Sequence, residues 1–204
     1  MRAADYWAQA LEFDDYLAEM TLNQELFRAN YERTKLTEGE RAAFAGAPLR
    51  FLVLTEDFCG DSAQFIPVIG RLAHALANVE IRVLHRDQHR ELADNYRRKD
   101  GYQAIPVFVL LDAAGHELGF LIERPERSNN AMIAETTRFA AKNAHLEGIR
   151  RTYQNMPEAT RKAVSDNMRS WRARQQEQWA RWLLDDLSQI VAASRTAARE
   201  PVAD

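Results

Sequence analysis

The sequence predicts an α/β fold with a central mixed sheet flanked by helices, a helical N-terminal extension and a long helical C-terminal extension. Between residues 48 and 148, short apolar runs suited to buried strands alternate with segments of helical spacing. Apolar residues at steps of three and four fill the flanking regions, 1–47 and 149–204. Because the 204 residues include only 8 Gly and 6 Pro, we expect helix to dominate.

The N-terminal extension is predicted to hold three helices. In its first part the apolar side chains share one helical face: Tyr6, Ala10, Phe13, Leu17 and Met20. This spacing predicts a helix at about 3–19. Capping boxes, in which a Thr hydroxyl and a polar side chain three residues later satisfy unpaired N–H groups, begin at Thr21 and Thr37. They predict helices at about 22–34 and 38–45.

The middle region predicts four main strands and three helices. The strands are the apolar runs 50–55, 79–84, 107–111 and 117–122. The helices are 60–77, 89–98 and a segment from an N-cap at Ser128 to about 147. A helix between the first two strands makes them parallel through a right-handed crossover, whereas the turn at 112–115 pairs the last two as an antiparallel hairpin. The result is a mixed sheet.

The region at about 155–199 predicts one long amphipathic helix or a helical hairpin, with Pro157 in the first turn. Its large apolar side chains, which include three tryptophans, are Val164, Met168, Trp171, Trp179, Trp182, Leu183, Leu187 and Ile190. The tryptophans need a partner surface. Either they pack on the N-terminal helices, which carry Trp7 and Phe13, or they form a helix seam between two copies, making a homodimer.

Composition and charge exclude several classes of protein. With 27 Lys plus Arg against 30 Asp plus Glu, the net charge of −3 argues against a nucleic-acid binder. No apolar run approaches the ~20 residues of a membrane span, and the N-terminus lacks the apolar core of a secretory signal. The chain has 1 Cys and can form no internal disulfide, which favours a reducing cytoplasm.

The single cysteine lies in a short motif between a strand and a helix. The segment Phe-Cys-Gly-Asp-Ser at 58–62 follows the first strand of the middle region and opens a helix. An Ile-Pro pair at 105–106 lies directly before the third strand. With the strand order, these features of 50–122 resemble the thioredoxin family, and most nearly a bacterial subgroup with a Trp-Cys-Gly-Asp-Ser turn. Here a Phe replaces that Trp, and Ser62 replaces the second cysteine.

The resemblance implies a thioredoxin-like core with its site at this turn. It implies that Cys59 is the catalytic nucleophile, that Pro106 follows a cis bond and that this proline faces the cysteine. The substrate contacts that it implies are Phe58, Gly60, Asp61, Ile105 and Pro106. Protein or small-thiol disulfides are the implied partners.

A cysteine at the start of a helix supports the same chemistry. The first N–H groups of a helix lack helical partners and favour an anion, and a thiolate is the attacking species of thiol–disulfide exchange. Ser62 lies one turn beyond Cys59, where its hydroxyl can donate to the thiolate, but it cannot resolve a mixed disulfide. We therefore predict a monothiol cycle completed by a low-molecular-weight thiol or a second protein, with no metal or organic cofactor.

Departures from the family pattern leave other classes of function open. Asp61 stands where thioredoxin has a Pro, and Asp57 lies nearby. A carboxylate close to a thiolate disfavours the charged sulfur. Val53 occupies the strand position where thioredoxin has a buried acid. A non-catalytic binding or adaptor module is the alternative, and a glutathione-transferase-like enzyme, which also appends helices to this fold, is the third choice.

The end of the second strand is expected beside the cysteine turn, since parallel strands end at the same edge of a sheet. There His85 or Arg86 can hold the carboxylate of a glutathione-like thiol, unless this is only a solvated strand end. The spacing of His85, Asp87 and His89 is metal-like. A strand end passing into a loop does not align these side chains, and no fourth ligand is evident, so we predict no metal site.

Overall fold

The computed structural model describes residues 2–197, which form a five-stranded mixed sheet with apolar cores on both faces. The strands are β1 (Leu11–Glu12), β2 (Leu49–Thr55), β3 (Val79–His85), β4 (Val107–Asp112) and β5 (Glu117–Ile122). The helices are α1 (Phe13–Glu19), α2 (Gln24–Arg33), α3 (Glu38–Phe44), α4 (Gly60–Ala75), α5 (Arg90–Ala93), α6 (Glu126–Lys142) and α7 (Glu158–Ala197). The strand order is β1-β3-β2-β4-β5, in which only β2 and β3 are parallel. The predicted α/β class and the dominance of helix, at 58%, are confirmed.

Strand β2 lies in the middle of the sheet and is buried on both faces. Phe51 and Val53 belong to the apolar cluster that also contains side chains of α1, α2, α4 and α7. Leu52 and Leu54 belong to the opposite cluster, which contains residues of the N-terminal segment and α5. This two-sided burial explains why the strand is almost wholly apolar. It also places the end of β2, where the cysteine turn begins, at an edge of the core.

The predicted helix at 3–19 is wrong. The chain forms a 3-10 helix at Ala3–Gln9, then β1, and only then α1. β1 pairs antiparallel with β3, with Leu11 opposite Val83. This backbone pairing interrupts the helical path, and side-chain spacing does not reveal it. The sheet therefore has a short fifth strand beyond the four predicted main strands.

One of the two predicted capping boxes is confirmed. The Thr37 hydroxyl accepts from the N–H of Glu40, whose carboxylate accepts from the N–H of Thr37. The other, at Thr21, is wrong: Asn23 precedes α2 in the left-handed conformation, with φ of 56°. Thr21 instead donates its N–H and hydroxyl to Asp57, both at 2.9 Å. A bond to the cysteine turn has replaced a bond within the helix.

Two helices of the middle region differ from their predicted bounds. The helix expected at 89–98 is confined to the four residues of α5, because Arg97 forms a bridge with Gln103 and leaves the helical path. Ser128 is not an N-cap. α6 begins after Pro125, whose carbonyl accepts from the N–H of Ser128 at 3.0 Å, so Ser128 lies buried inside the helix.

The C-terminal region forms one long helix, α7, in agreement with the first of the two predicted arrangements; residues 198–199 of the prediction lie outside the described chain. Trp179 is fully buried and stacks on Phe65 of α4, with ring centroids 5.8 Å apart. The tryptophans therefore pack within the chain, against the same core that contains Phe13. Trp7 is not part of this packing, because it lies on the opposite face of the sheet. Dimerisation through α7 stays a prediction.

Candidate functional site at the start of helix α4

Cys59 caps the N-terminus of α4 at the edge of the sheet where β2 ends. A turn after Thr55 brings the Cys59 N–H within 3.2 Å of the Glu56 carbonyl. The Cys59 carbonyl accepts the first helical hydrogen bond, from the N–H of Ala63 at 3.1 Å. The residue is partly exposed. Cys59 thus lies at a partly exposed helix end whose first N–H groups lack helical partners.

The Ile105–Pro106 pair lies opposite the cysteine, and its peptide bond is cis, as predicted. The Cys59 Sγ donates to the Ile105 carbonyl at 3.4 Å. The Pro106 carbonyl accepts from the N–H of Glu123 at 2.7 Å, which ties this loop to the end of β5. The structure thus brings the two parts of the predicted site together. Because only a protonated sulfur can donate, the contact with Ile105 belongs to the resting thiol.

Ser62 does not bind the sulfur, contrary to its predicted role as a thiolate stabiliser. Its hydroxyl is buried and accepts from the Thr55 hydroxyl at 2.5 Å, and no described hydrogen bond joins it to Cys59. The phenol of Tyr16, on α1, lies beside Thr55. Burial raises the pKa of Tyr16 above its usual range, and the nearby charge of Asp57 adds to this. The neutral hydroxyls of Tyr16, Thr55 and Ser62 are therefore grouped next to the turn.

Asp61, in the first turn of α4, is paired with two arginines. Its Oδ2 lies 3.0 Å from Nη1 of Arg124, and its Oδ1 lies 2.5 Å from Nη2 of Arg172. Arg172 also donates to the Gly60 carbonyl at 3.3 Å and places its guanidinium over the ring of Trp179. The negative charge that was expected to oppose a thiolate is therefore balanced by side chains from α7 and from the segment between β5 and α6.

Asp57, on the other side of the cysteine, is held by the N-terminal extension. Its Oδ2 accepts from the N–H and hydroxyl of Thr21 and from the N–H of Leu22, at 2.9–3.0 Å. Burial opposes ionisation of Asp57, but these donors outweigh it and hold the pKa of the carboxyl below its usual range. The Asn23 side chain donates to the Asp57 carbonyl at 2.8 Å. The turn is thus fastened to the segment that leads into α2.

The end of β3 lies beside the turn, and its basic side chains already have acidic partners. His85 places Nε2 2.5 Å from Glu19 and Nδ1 3.4 Å from Glu56. Burial opposes a positive charge on His85, but these two carboxylates outweigh it and raise its pKa. Arg86 donates to Asp87 at 2.8 Å. The two side chains predicted to hold a ligand carboxylate therefore face carboxylates of the chain itself.

The three residues with metal-like spacing contact different partners. Asp87 lies within 3.3 Å of Arg90 in addition to its bond with Arg86. The ring of His89 packs edge-on against Tyr6, with centroids 5.5 Å apart. Across residues 2–197, no three His, Cys, Asp or Glu side chains are grouped so that they could hold a metal ion.

The remaining predicted contacts lie around the thiol. Phe58 is 55% exposed, directly before Cys59, and Gly60 is an exposed first residue of α4. Val53 is fully buried in β2, opposite Val83 of β3. An apolar core therefore fills the strand position at which the family resemblance places an acid.

Sequence reasoning missed Arg124, Arg172 and the role of Thr55. The two arginines are 63 and 111 residues from Asp61 along the chain, so no local pattern links them to the turn. Thr55 did carry a signal. It is the one polar residue of the buried strand end, and a buried hydroxyl needs a partner.

Fold and site together define a thioredoxin-like protein with one cysteine at the start of a helix, facing an Ile-Pro pair. The family model described as Thioredoxin matches residues 10–145, well over half of the sequence, and the chain belongs to this family. No curated protein matches the sequence. No helix within residues 2–197 is long and apolar enough to cross a membrane.

Two solved structures resemble the chain over most of its length. One is a protein of unknown function from Pseudomonas aeruginosa, with 14% identity and a TM-score of 0.62 over 95% of this chain and 99% of that one. The other is an HIV epitope-scaffold, with 14% identity, the same coverage and a TM-score of 0.60. At this identity the likeness shows the fold alone.

Proposed function

We propose that the protein acts in monothiol thiol–disulfide exchange or mixed-disulfide reduction, with Cys59 as the nucleophile. The observation that carries the proposal is a partly exposed cysteine that caps α4, with its sulfur 3.4 Å from the Ile105 carbonyl. When the thiol loses its proton, the N–H groups and dipole of the first turn of α4 favour the resulting anion. The two arginines on Asp61 reduce the main opposing charge.

The proposed cycle has two exchange steps. The Cys59 thiolate attacks one sulfur of a protein or small-thiol disulfide, so that a bond to Cys59 forms, the substrate S–S bond breaks and the other half leaves as a thiolate. Because the chain has 1 Cys, no second cysteine can displace the bound half. A low-molecular-weight thiolate attacks the mixed disulfide, forms a new disulfide with the bound half and releases the Cys59 thiolate. A reducing bacterial cytoplasm would supply that thiol.

Oxidised glutathione tests the first step directly. The wild-type protein should gain the mass of one glutathione, and reduced glutathione in excess should remove it. Cys59→Ser should gain none under the same conditions. A wild-type protein that stays unmodified, or a Cys59→Ser variant that is still modified, would overturn the proposal.

Ser62→Cys tests whether the missing second cysteine makes the cycle monothiol. The variant should release glutathione and form an internal disulfide, at a stability cost of about 1 kcal/mol for the lost Thr55 bond. Ser188→Cys is the matched control, because Ser188 lies 16 residues beyond Arg172 on the same helix, roughly 24 Å away along its axis. Persistent glutathione on Ser62→Cys, as on the wild type, would contradict this role.

A non-catalytic binding module is the second candidate. It is favoured by the Ser62 hydroxyl, which binds Thr55 instead of the sulfur, and by the thiol hydrogen bond to Ile105. It predicts no glutathione adduct, and partner binding that survives Cys59→Ser. The glutathione-transferase-like alternative loses support, because residues 149–197 contain a 3-10 turn and α7 but no further helix.

A further inference from the structure

A cavity of about 420 Å³ lies beside the cysteine, between α2, α4 and α7. Gly60, the residue after Cys59, lines it together with Gln64 of the same helix. Most of the remaining wall is apolar and comes from the two extensions, with Leu26, Tyr153, Val164 and Met168. Ligand pockets typically have volumes of about 300–1,000 Å³ and a mostly apolar lining with a few polar groups. This cavity has both properties, and Gly60, which lines it, directly follows the proposed nucleophile.

The charged side chains of the cavity are all positive. Of the described residues that line it, two are arginines and none is Asp or Glu. Arg172 is engaged with Asp61, whereas Arg169 is 79% exposed and its nearest paired carboxylate, on Asp166, is 4.0 Å away. Asp166 itself lies 2.5 Å from Lys162. Arg169 therefore presents a weakly paired cation at the rim of an apolar cavity.

A second groove, which begins just after the end of β3, has a different character. It is an open groove of about 810 Å³ lined by three arginines and three aspartates between residues 86 and 103. Its charges largely pair with one another, as Arg86 with Asp87 and Arg97 with Asp94. Glu19 and Glu56 add negative charge at the neighbouring end of β3. An apolar anion is therefore favoured in the cavity at α7 and disfavoured in this groove.

We propose that the α2–α4–α7 cavity binds a small amphipathic carboxylate, with its apolar body between Leu26 and Met168 and its charge at Arg169. The inference rests in part on the proposed function, because the cavity would select which disulfides Cys59 attacks. A disulfide that bears an aromatic carboxylate would place one half in the cavity. The thiolate would attack the adjoining sulfur, and the S–S bond would break to release the other half as a thiolate.

Binding is tested without thiol chemistry in the full-length Cys59→Ser protein. The probe is anilinonaphthalene sulfonate, an aromatic body with one anionic group. Its fluorescence should rise saturably with one site per chain. Met168→Trp, which fills the cavity, should weaken binding at least about tenfold, whereas Ile133→Trp, on the exposed face of α6, should leave it unchanged. Absence of a saturable site, or equal binding by both variants, would overturn the proposal.

The charge is tested by a substitution that does not disturb the core. Arg169→Gln should weaken binding of the probe about fivefold, which corresponds to the loss of one exposed ion pair. Arg181→Gln, an exposed arginine on the same helix that pairs with Glu177, should have no effect. Because Arg169 is largely solvated, this variant is expected to fold even if Met168→Trp does not. Equal loss of binding in both arginine variants would show a non-specific charge effect and overturn the assignment.

The wild-type protein then separates the cavity from the thiol chemistry. Dithiobis(nitrobenzoate), an aromatic carboxylate disulfide, should react with Cys59 about fivefold more slowly in Arg169→Gln, whereas uncharged dithiodipyridine should react at the wild-type rate. Equal slowing of both reagents would overturn the selective role. If neither reagent modifies the wild type while the probe still binds Cys59→Ser, the proposed function fails and the cavity assignment stands.

Discussion

Asp61→Asn removes the shared partner of two arginines without changing the shape of the side chain. At ~4 Å and an effective dielectric near 20, each ion pair has about 4 kcal/mol of gross attraction, most of which desolvation offsets. Removing one partner of a buried pair nevertheless costs about 3–5 kcal/mol, because the other charge stays buried alone. In Asp61→Asn, Arg124 would still have Glu123 as an ionic partner. The side chains are not fully buried, since the exposed fractions of Arg124, Asp61 and Arg172 are 13%, 14% and 18%. We therefore expect a loss of about 2–4 kcal/mol in the free energy of unfolding.

Urea unfolding followed by circular dichroism measures this loss. Arg172→Met should cost less, about 1–2 kcal/mol, because Asp61 keeps Arg124. Asp166→Asn is the matched control, since it removes an exposed α7 carboxylate paired with Lys162 and should cost less than about 1 kcal/mol. An Asp61→Asn protein within about 0.5 kcal/mol of wild type would refute the reasoning.

The same two variants also change the local charge beside Cys59 in opposite directions. Asp61→Asn removes a negative charge two residues from the thiol, whereas Arg172→Met removes a positive charge that balances it. Alkylation of Cys59 by iodoacetamide at pH 7 should therefore accelerate in the first variant and slow in the second. Because both variants lose stability, a change of the alkylation rate in the same direction in both would indicate loosened structure instead of electrostatics.

Three further predictions concern stability. Gly70→Ala should destabilise the protein by about 1–3 kcal/mol, because the new Cβ would lie 2.2–2.8 Å from ring atoms of Phe13. Gly39→Ala, whose new Cβ would meet open space, should stabilise it by up to about 1 kcal/mol, and a rise in the melting temperature of both variants would contradict this pair of predictions. The contribution of His85 to the free energy of unfolding should be complete below pH 6.5, because its pKa is raised above that value, and should disappear as the pH rises through the folded pKa. A difference in this free energy between His85→Gln and wild type that stays constant from about pH 5 to 9 would contradict this. The contribution of Asp57 to the free energy of unfolding should be complete above pH 3.8, because its pKa is lowered from that value, and should disappear in stronger acid. Urea midpoints of Asp57→Asn and wild type that fall in parallel as the pH is lowered would contradict this.

The sequence was most informative where one local pattern decides the structure. The run at 50–55 is almost wholly apolar, which favours a strand buried on both faces, and its end indicated where the cysteine turn would lie. The placement of Cys59 near Pro106 came from the family resemblance, since spacing alone does not bring two turns together.

Contacts between distant elements could not be predicted. Apolar spacing at 3–19 matched one helix, yet the pairing of Leu11 with Val83 depends on where β3 lies. Ser62 was expected to donate to the sulfur, but the short bond from Thr55 depends on the exact separation of β2 and α4. A residue-type pattern does not encode such separations, whereas it does encode burial.

The helical extensions, and not the core alone, determine the charge around the thiol. Asp57 and Asp61 flank Cys59, and each would disfavour a thiolate if it were solvated alone. The N-terminal extension binds Asp57 through Thr21, and the C-terminal helix binds Asp61 through Arg172. Each extension therefore contacts one of these carboxylates, and Asp61 is also paired with Arg124 of the core; α2 and α7 line the cavity next to the cysteine turn as well. Loss of the N-terminal extension would remove the donors on Asp57, whereas loss of α7 would remove Arg172 from Asp61 and leave it paired with Arg124 alone.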